Sequence, residues 1–242
     1  MKPFPRANRK GRVPAFSVII PTCNRPQFLA DAVASVLAQR DADFELLIVN
    51  DGIELPPPPA DPRLRHLENA RRGAIAARNL GIGSARGDWI SWLDDDDLWK
   101  DPLHLARAAS RLGDGADFTF ADGVMQFDTG TPPRLFAKDA SAETLARDNT
   151  ILLSAVSYRR DLHDRLGGFE PSLPYYADWD WYLRVARAGF RIERIATPTV
   201  AIRIHGSNTS AAAEAARREN LQLLSARHGL GTIALKTHAD FL

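Results

Sequence analysis

The sequence has a single cysteine, Cys23, among its 242 residues, so no disulfide can form within the chain. A lone thiol suits a reducing compartment. No apolar run reaches the ~20 residues that a membrane-spanning helix needs, and the N-terminus lacks the apolar core of a secretory signal. The formal net charge is only +1, which argues against bulk attraction to nucleic acid. We therefore expect a cytoplasmic protein with no transmembrane segment and no nucleic-acid partner.

Several catalytic signatures are absent as well. The chain contains no Gly-x-x-x-x-Gly-Lys-Ser/Thr loop, no Gly-x-Ser-x-Gly and no His-Glu-x-x-His. Residues 81–87 hold three glycines, but this segment precedes an apolar strand-like run instead of opening a helix, as a dinucleotide fingerprint would. These absences count against P-loop NTPases, dinucleotide-binding enzymes and the commonest hydrolases.

What is present is an ordinary globular composition, 45% hydrophobic and 25% charged, with alternating strand and helix patterns. Phe16–Ile20 and Phe44–Val49 are short apolar runs that predict buried strands, and Leu29, Val33, Val36 and Leu37 recur between them at helical spacing. This strand–helix–strand pattern predicts a parallel sheet with a site at its carboxyl edge. Further strands are expected at 191–195 and 200–205, a strand or pocket wall at 151–156, and helices at about 178–188 and 211–228.

The most unusual stretch runs from Trp89 to Trp99, where an apolar segment leads directly into Asp94–Asp97. Four adjacent carboxylates repel one another unless a partner neutralises them, and Mg²⁺ and Mn²⁺ prefer such oxygen ligands. An acidic turn before a helix N-terminus near Asp101 is the alternative. The flanking tryptophans do not read as solvent-facing, which favours a metal site.

Five segments, in order along the chain, resemble motifs of family-two glycosyltransferases with the GT-A fold. They are Ser17–Arg25, Ile48–Gly52, Gly73–Gly81 preceded by Asn69, Leu93–Asp97, and Gly167–Phe169 followed by Asp178-Trp179. Each motif alone is weak evidence for this resemblance, whereas all five in the same order are specific evidence. Together the motifs extend over nearly the whole chain from residue 16. The resemblance implies a single α/β domain of GT-A type over residues 13–242, with a mostly parallel central sheet flanked by helices. A Rossmann-like nucleotide-sugar half would span about 16–125 and an acceptor half about 126–230, after a basic, disordered tail at 1–12.

The resemblance also implies an activity: inverting transfer from a nucleoside-diphosphate sugar, a UDP-sugar first, to a hydroxyl of a saccharide or lipid-linked saccharide. Such a reaction belongs to bacterial-type polysaccharide or glycoconjugate synthesis, with Mn²⁺ or Mg²⁺ as cofactor, and is compatible with peripheral association at the inner face of a membrane. It makes Asp178 the catalytic base. The implied metal ligands are Asp96, Asp94 and His205, and the implied donor-binding residues are Pro21, Thr22, Asn24, Arg25, Asp51, Arg78, Asp94 and Asp95.

Two departures from the family pattern keep alternatives open. Ala177 stands where the family often has a glutamate, and Cys23 stands where an aromatic residue is common, which predicts a small core-facing thiol. The alternatives are a nucleotidyl- or phosphotransferase, and a catalytically weakened nucleotide-sugar-binding module. Asp178 itself could be only a helix N-cap, in which case Asp180 would be the next candidate base.

Overall fold

A computed structural model describes residues 13–57, 59–206 and 214–236. The predicted tail at 1–12, and the first residues of the helix expected from 211, lie outside the described residues. The strands are β1 Phe16–Thr22, β2 Phe44–Asn50, β3 Leu64–Glu68, β4 Trp89–Trp92, β5 Leu98–Trp99, β6 Phe118–Phe127, β7 Arg134–Phe136, β8 Val156–Arg159 and β9 Ile192–Ile204. The helices are α1 Pro26–Leu37, α2 Ala74–Ser84, α3 His104–Gly113, α4 Ala142–Leu145, α5 Leu162–Leu166, α6 Ala177–Arg187 and α7 Glu214–His228.

The strands form one mixed sheet in the order β3-β2-β1-β4-β8-β6-β9-β5, with β7 on β6. The first four strands are mutually parallel, as the strand–helix–strand pattern predicts. Strand β8 then runs antiparallel to both β4 and β6, and β9 returns parallel to β6. The predicted α/β class is confirmed: the sheet is parallel from β3 to β4 and mixed beyond β4, where β6 and β9 form a further parallel pair.

Both faces of the sheet are covered, which explains why its central strands are continuous apolar runs. In β1, Val18 and Ile20 face a buried cluster that includes residues of α1 and α3. Ile19, which points the other way, packs into a second cluster with residues of α2, α6 and α7. The parallel register pairs Thr22 with Asn50, so the carboxyl ends of these strands meet at one edge.

Two C-terminal segments differ from the sequence expectation. The predicted strands at 191–195 and 200–205 are one strand, β9, which stays paired to β6 through register shifts opposite Ala121–Gly123. For segment 151–156 the strand alternative is wrong and the pocket-wall alternative is confirmed: residues 151–154 line a cleft, and Leu153–Ala155 form a 3₁₀ turn before β8. The two-residue strand β5 pairs with β9 directly after the aspartates, so Asp94–Asp97 lie between β4 and β5. Among the helices in the described part of the chain, none is long and apolar enough to cross a bilayer.

Candidate active site

A cleft of about 650 Å³ opens at the carboxyl edge of the parallel strands. Nine of the predicted site residues line it: Pro21, Thr22, Arg25, Asp51, Arg78, Asp94, Asp95, Asp96 and Asp178. Chain segments up to 157 residues apart are therefore brought to one opening. Asn24 and His205, also predicted, do not line the cleft.

The four aspartates have different partners because successive side chains of the turn point in different directions. The Asp94 side chain is 30% exposed and accepts a bond from Arg78 Nη2 at 2.9 Å. Asp97 is buried, and its carboxylate accepts bonds from Ser154 Oγ at 2.5 Å and from the Arg203 backbone N–H at 3.0 Å. Burial raises the pKa of the Asp97 carboxyl well above its usual range. Asp97 is thus a structural carboxylate that anchors the turn, whereas Asp94 is open to the cleft.

Asp95 and Asp96 both contact the guanidinium of Arg25, which lies in the loop between β1 and α1. Arg25 Nη1 lies 3.3 Å from Asp95 Oδ1 and 2.6 Å from Asp96 Oδ2. Thr22 Oγ1, at the end of β1, donates to Asp95 Oδ2 at 2.7 Å. Burial raises the pKa of Asp95 to about 6, against the opposing effect of the Thr22 hydrogen bond. Burial and the negative charge of Asp94 raise the pKa of Asp96.

The donor atoms around Asp96 suit a divalent cation. His205 Nε2 lies 3.2 Å from Asp96 Oδ2, which pairs an imidazole with a carboxylate. Within the described residues, no group of three or more His, Cys, Asp and Glu side chains could enclose an ion. Mg²⁺-type ions commonly take only one or two protein carboxylates and complete their shell with water and substrate phosphates, so a partial set fits. Because Arg25 contacts the same Asp96 oxygen, a cation there would displace its guanidinium.

Asp51 follows β2 and faces the N-terminus of α2. Its carboxylate accepts a bond from Asn69 Nδ2 at 2.6 Å and from the Gly73 backbone N–H at 3.0 Å. Gly73 precedes α2 with φ of 95°, a conformation that glycine adopts without strain. Asn24 is a loop residue: its Oδ1 accepts a bond from the Ile53 backbone N–H at 2.8 Å. It supports the loop beside Asp51 from outside the cleft lining.

The second wall of the cleft carries Asp178. Helix α6 begins at Ala177 after the N-cap residue Tyr176, so Asp178 lies in the first turn and is not the N-cap. Asn149 Nδ2 donates to Asp178 Oδ2 at 3.0 Å. Burial raises the pKa of the Asp178 carboxyl, while the nearby Arg78 guanidinium opposes that rise. Arg78 therefore interacts with carboxylates of both walls, Asp94 by a hydrogen bond and Asp178 through its charge.

An asparagine connects the two halves. Asn79, on α2 one residue after Arg78, donates from Nδ2 to the Phe169 carbonyl at 2.9 Å and accepts the Phe169 N–H at Oδ1 at 2.9 Å. A Cβ on Gly168 would come within 2.6 Å of the Asn79 side chain, which explains the glycine there. This reciprocal pair fixes the Gly167–Phe169 segment against α2.

Three side chains differ from their sequence predictions or went unpredicted. Cys23 is exposed and lines the cleft, so the predicted core-facing thiol is wrong; the loop after β1 turns it outward. Asp180 is fully buried among Arg184, Arg227 and His228 and does not line the cleft, which removes it as a substitute base. Asn149 was missed, because nothing in a lone asparagine 29 residues before Asp178 signals their contact.

Comparison with known proteins identifies the family. The sequence model described as Glycosyl transferase family 2 matches residues 17–158, more than half of the chain. The chain belongs to glycosyl transferase family 2. An uncharacterized glycosyltransferase, YwdF of Bacillus subtilis (strain 168), is 35% identical over 93% of this chain and 88% of that protein. A PGL/p-HBAD biosynthesis glycosyltransferase of Mycobacterium bovis is 29% identical over 71% of this chain and 69% of that protein.

Solved structures agree on the fold. S. aureus TarS 1-349 in complex with UDP-GlcNAc superposes with a TM-score of 0.68 at 18% identity, over 87% of this chain. This chain spans 65% of that TarS chain. The mannosyltransferase PcManGT from Pyrobaculum calidifontis, in complex with GDP-Man and Mn²⁺, gives 0.67 at 18% identity, over 96% of this chain and 68% of that one. The family 2 chain has the GT-A fold, and the glycosyltransferase prediction is confirmed at that level.

Proposed function

We propose that this glycosyltransferase moves a sugar from a nucleoside-diphosphate sugar to a hydroxyl of a saccharide or lipid-linked saccharide, with inversion at the anomeric carbon. The observation that carries the proposal is the division of charge within one cleft. Asp94–Asp96 lie on one wall, the carboxylate of Asp178 lies on the other, and Arg78 interacts with both walls. An inverting displacement needs one centre at the leaving diphosphate and a separate base for the acceptor hydroxyl, and it forms no covalent intermediate.

The donor would occupy the wall formed by β1, β2 and the aspartate turn. Asp51, which lines the cleft and is held by Asn69 and Gly73, would accept a hydrogen bond from a base N–H. A uridine nucleotide is the first choice because TarS was solved with UDP-GlcNAc, and the GDP-Man complex of PcManGT makes guanosine the second. Arg25 and Arg78 supply permanent positive charge for the diphosphate.

The leaving diphosphate gains negative charge as the glycosidic bond breaks, and this charge needs stabilisation. Asp96 and His205, with Asp94 directly or through water, would hold a divalent cation. When bound there, the cation would neutralise part of that charge. Arg25 would then move from Asp96 toward the phosphate oxygens.

The acceptor would approach from the wall of α6. Its hydroxyl gives its proton to Asp178 as the hydroxyl oxygen forms a bond to the anomeric carbon. The bond from that carbon to the diphosphate oxygen breaks, and the electron pair leaves with the diphosphate. Burial raises the pKa of Asp178 and so makes it a stronger base than an exposed aspartate.

The test of the proposal is Asp178→Asn, because asparagine has nearly the same shape but cannot take the proton. We expect retained folding and donor binding and a fall in turnover of ~10²–10⁴-fold. The assay follows nucleoside diphosphate released from a panel of nucleotide sugars, with saccharide acceptors or water. The matched control is Asp164→Asn, an exposed aspartate on α5 outside the cleft lining, which should retain the wild-type rate.

Thermal shifts with and without Mn²⁺ separate the competing classes. Stabilisation by a nucleoside-diphosphate sugar plus metal supports the proposal. Stabilisation by a triphosphate alone would instead indicate a nucleotidyl- or phosphotransferase. A wild-type protein that binds donors without turning any of them over would be a binding module.

A further inference from the structure

Asn149 has a contact that its position in the chain does not explain. It lies in the loop between α4 and the 3₁₀ turn and lines the cleft. Its Nδ2 donates to Asp178 Oδ2 at 3.0 Å. Helix α4, which leads into this loop, is held against α6 by Trp179, whose Nε1 donates to the carbonyl of Leu145, the last residue of α4, at 2.7 Å. The residue after the proposed base therefore fixes the helix from which the loop with Asn149 starts.

The other end of the amide indicates that Asn149 is not there for stability. Its Oδ1 is buried and has no hydrogen-bond partner within the described residues. A buried polar atom without a partner destabilises the folded state, and such atoms in native proteins need an explanation. A purely structural asparagine such as Asn79 satisfies both ends of its amide. Asn149 satisfies only the end that faces Asp178.

We infer that Asn149 is a positioning residue for the catalytic base: its amide N–H orients the Asp178 carboxylate in the cleft and favours its ionised, proton-accepting form. The inference rests on the proposed function, since it takes Asp178 as the base. A hydrogen bond donated to a carboxylate stabilises the charged form, which keeps the base free of a proton to lower pH.

The other groups that act on the Asp178 carboxylate oppose or support this effect. Arg78, on α2, favours the ionised form, and Asp94, after β4, disfavours it. Tyr176 and Tyr182 also act on it, and burial raises the pKa of both phenols, so they stay neutral at ordinary pH. Asp148 and Lys236, which also line the cleft, form an ion pair with each other, and Arg217 acts on Tyr176. Asn149 is thus an uncharged donor that acts without adding a cation to the acceptor side.

The experiment compares Asn149→Ala and Asn149→Asp with the wild type in a pH profile of kcat/KM. We expect the acid limb to move to higher pH in Asn149→Ala, because the bond that stabilises the carboxylate is lost. It should move further in Asn149→Asp, because two adjacent carboxylates share one proton. Near neutral pH, Asn149→Ala should lose up to about 100-fold in kcat/KM, the scale of a misplaced catalytic group.

Stability provides the second measurement. The unfolding temperature of Asn149→Ala should stay close to that of the wild type, because the loss of the hydrogen bond to Asp178 is offset in part by the removal of the unpartnered carbonyl. Thr150→Val is the matched control: Thr150 Oγ1 is also buried without a partner among the described residues, but Thr150 does not line the cleft. That variant should keep the wild-type acid limb.

An acid limb that stays at the wild-type pH in both Asn149 variants overturns the inference, whatever their stability. An equal shift in Thr150→Val also overturns it, because the effect would then belong to the loop and not to the contact. If Asp178→Asn transfers at the wild-type rate, the base assignment itself fails. If Asp178→Asn is inactive and the pH profiles of both Asn149 variants match the wild type, only the proposed role of Asn149 is refuted.

Discussion

Asp180 lies two residues after Asp178 on α6, and replacing each with asparagine separates a structural carboxylate from a catalytic one. The Asp180 side chain is fully buried. Its Oδ2 accepts bonds from Arg184 at 2.8 and 2.9 Å, and its Oδ1 lies 2.8 Å from His228 Nε2 and 3.0 Å from Arg227 Nε. These contacts fasten α7 to α6. Arg184 in turn donates to the Gly168 carbonyl at 2.8 Å.

The expected cost of Asp180→Asn follows from this network. Removing one member of a buried ion pair typically costs ~3–5 kcal/mol of unfolding free energy, because its partners keep their charge. Arg184 and Arg227 are 18% and 45% exposed and can gain water, so we expect a loss of about 3 kcal/mol, at the lower end of that range. For a chain of this size, that corresponds to a fall of about 6–12 °C in unfolding temperature.

Thermal unfolding followed by circular dichroism measures this effect, and the transfer assay is run on the same samples well below the transition. Asp180→Asn should be less stable but active, whereas Asp178→Asn should be inactive and within about 1 kcal/mol of wild-type stability, the scale of a charge in the first turn of a helix. An Asp180→Asn protein that unfolds within 2 °C of the wild type would refute the reasoning about the network. Loss of transfer in a fully folded Asp180→Asn protein would refute its purely structural role.

Two further predictions concern the cation and pH. Asp96→Asn should abolish the stabilisation that Mn²⁺ adds to nucleoside-diphosphate binding in a thermal-shift assay, while the protein without ligands stays folded; an undiminished Mn²⁺ effect would rule out Asp96 as a ligand. Burial lowers the pKa of His104 from 6.5 to about 3 and that of His163 to about 4, so these two imidazoles take up protons on unfolding below pH 6.5. Their contribution lowers the unfolding free energy as pH drops from about 6.5 toward 4, whereas the raised pKa values of the buried aspartates act in the opposite direction. In urea titrations, His104→Gln should therefore gain unfolding free energy relative to the wild type as the pH drops over this range; an identical pH dependence in that variant would contradict the assignment.

The local features of the fold could be predicted from sequence because they depend on neighbours in the chain. β1, β2 and β4 are mostly apolar, each with a buried polar residue (Ser17, Glu45 and Ser91), and a strand buried on both faces requires such a composition. Asp51 and Asp94 follow strands that are parallel, so their meeting at one edge follows from the topology alone. The order of the family motifs predicted the fold class and the family, and the comparisons confirm both.

The tertiary structure decided which side chain does what. Asp178 and Asp180 are equivalent in sequence terms, but successive helix residues are turned by about 100°, so positions two apart point to nearly opposite sides. Asp178 faces the cleft, whereas Asp180 faces Arg184, Arg227 and His228. His205 reaches Asp96 only because β9 pairs with β5 directly after the aspartates. Asn149 reaches Asp178 because Trp179 holds α4, the helix before its loop, against α6. Such contacts depend on how separate elements pack, and no pattern of neighbouring residues encodes them.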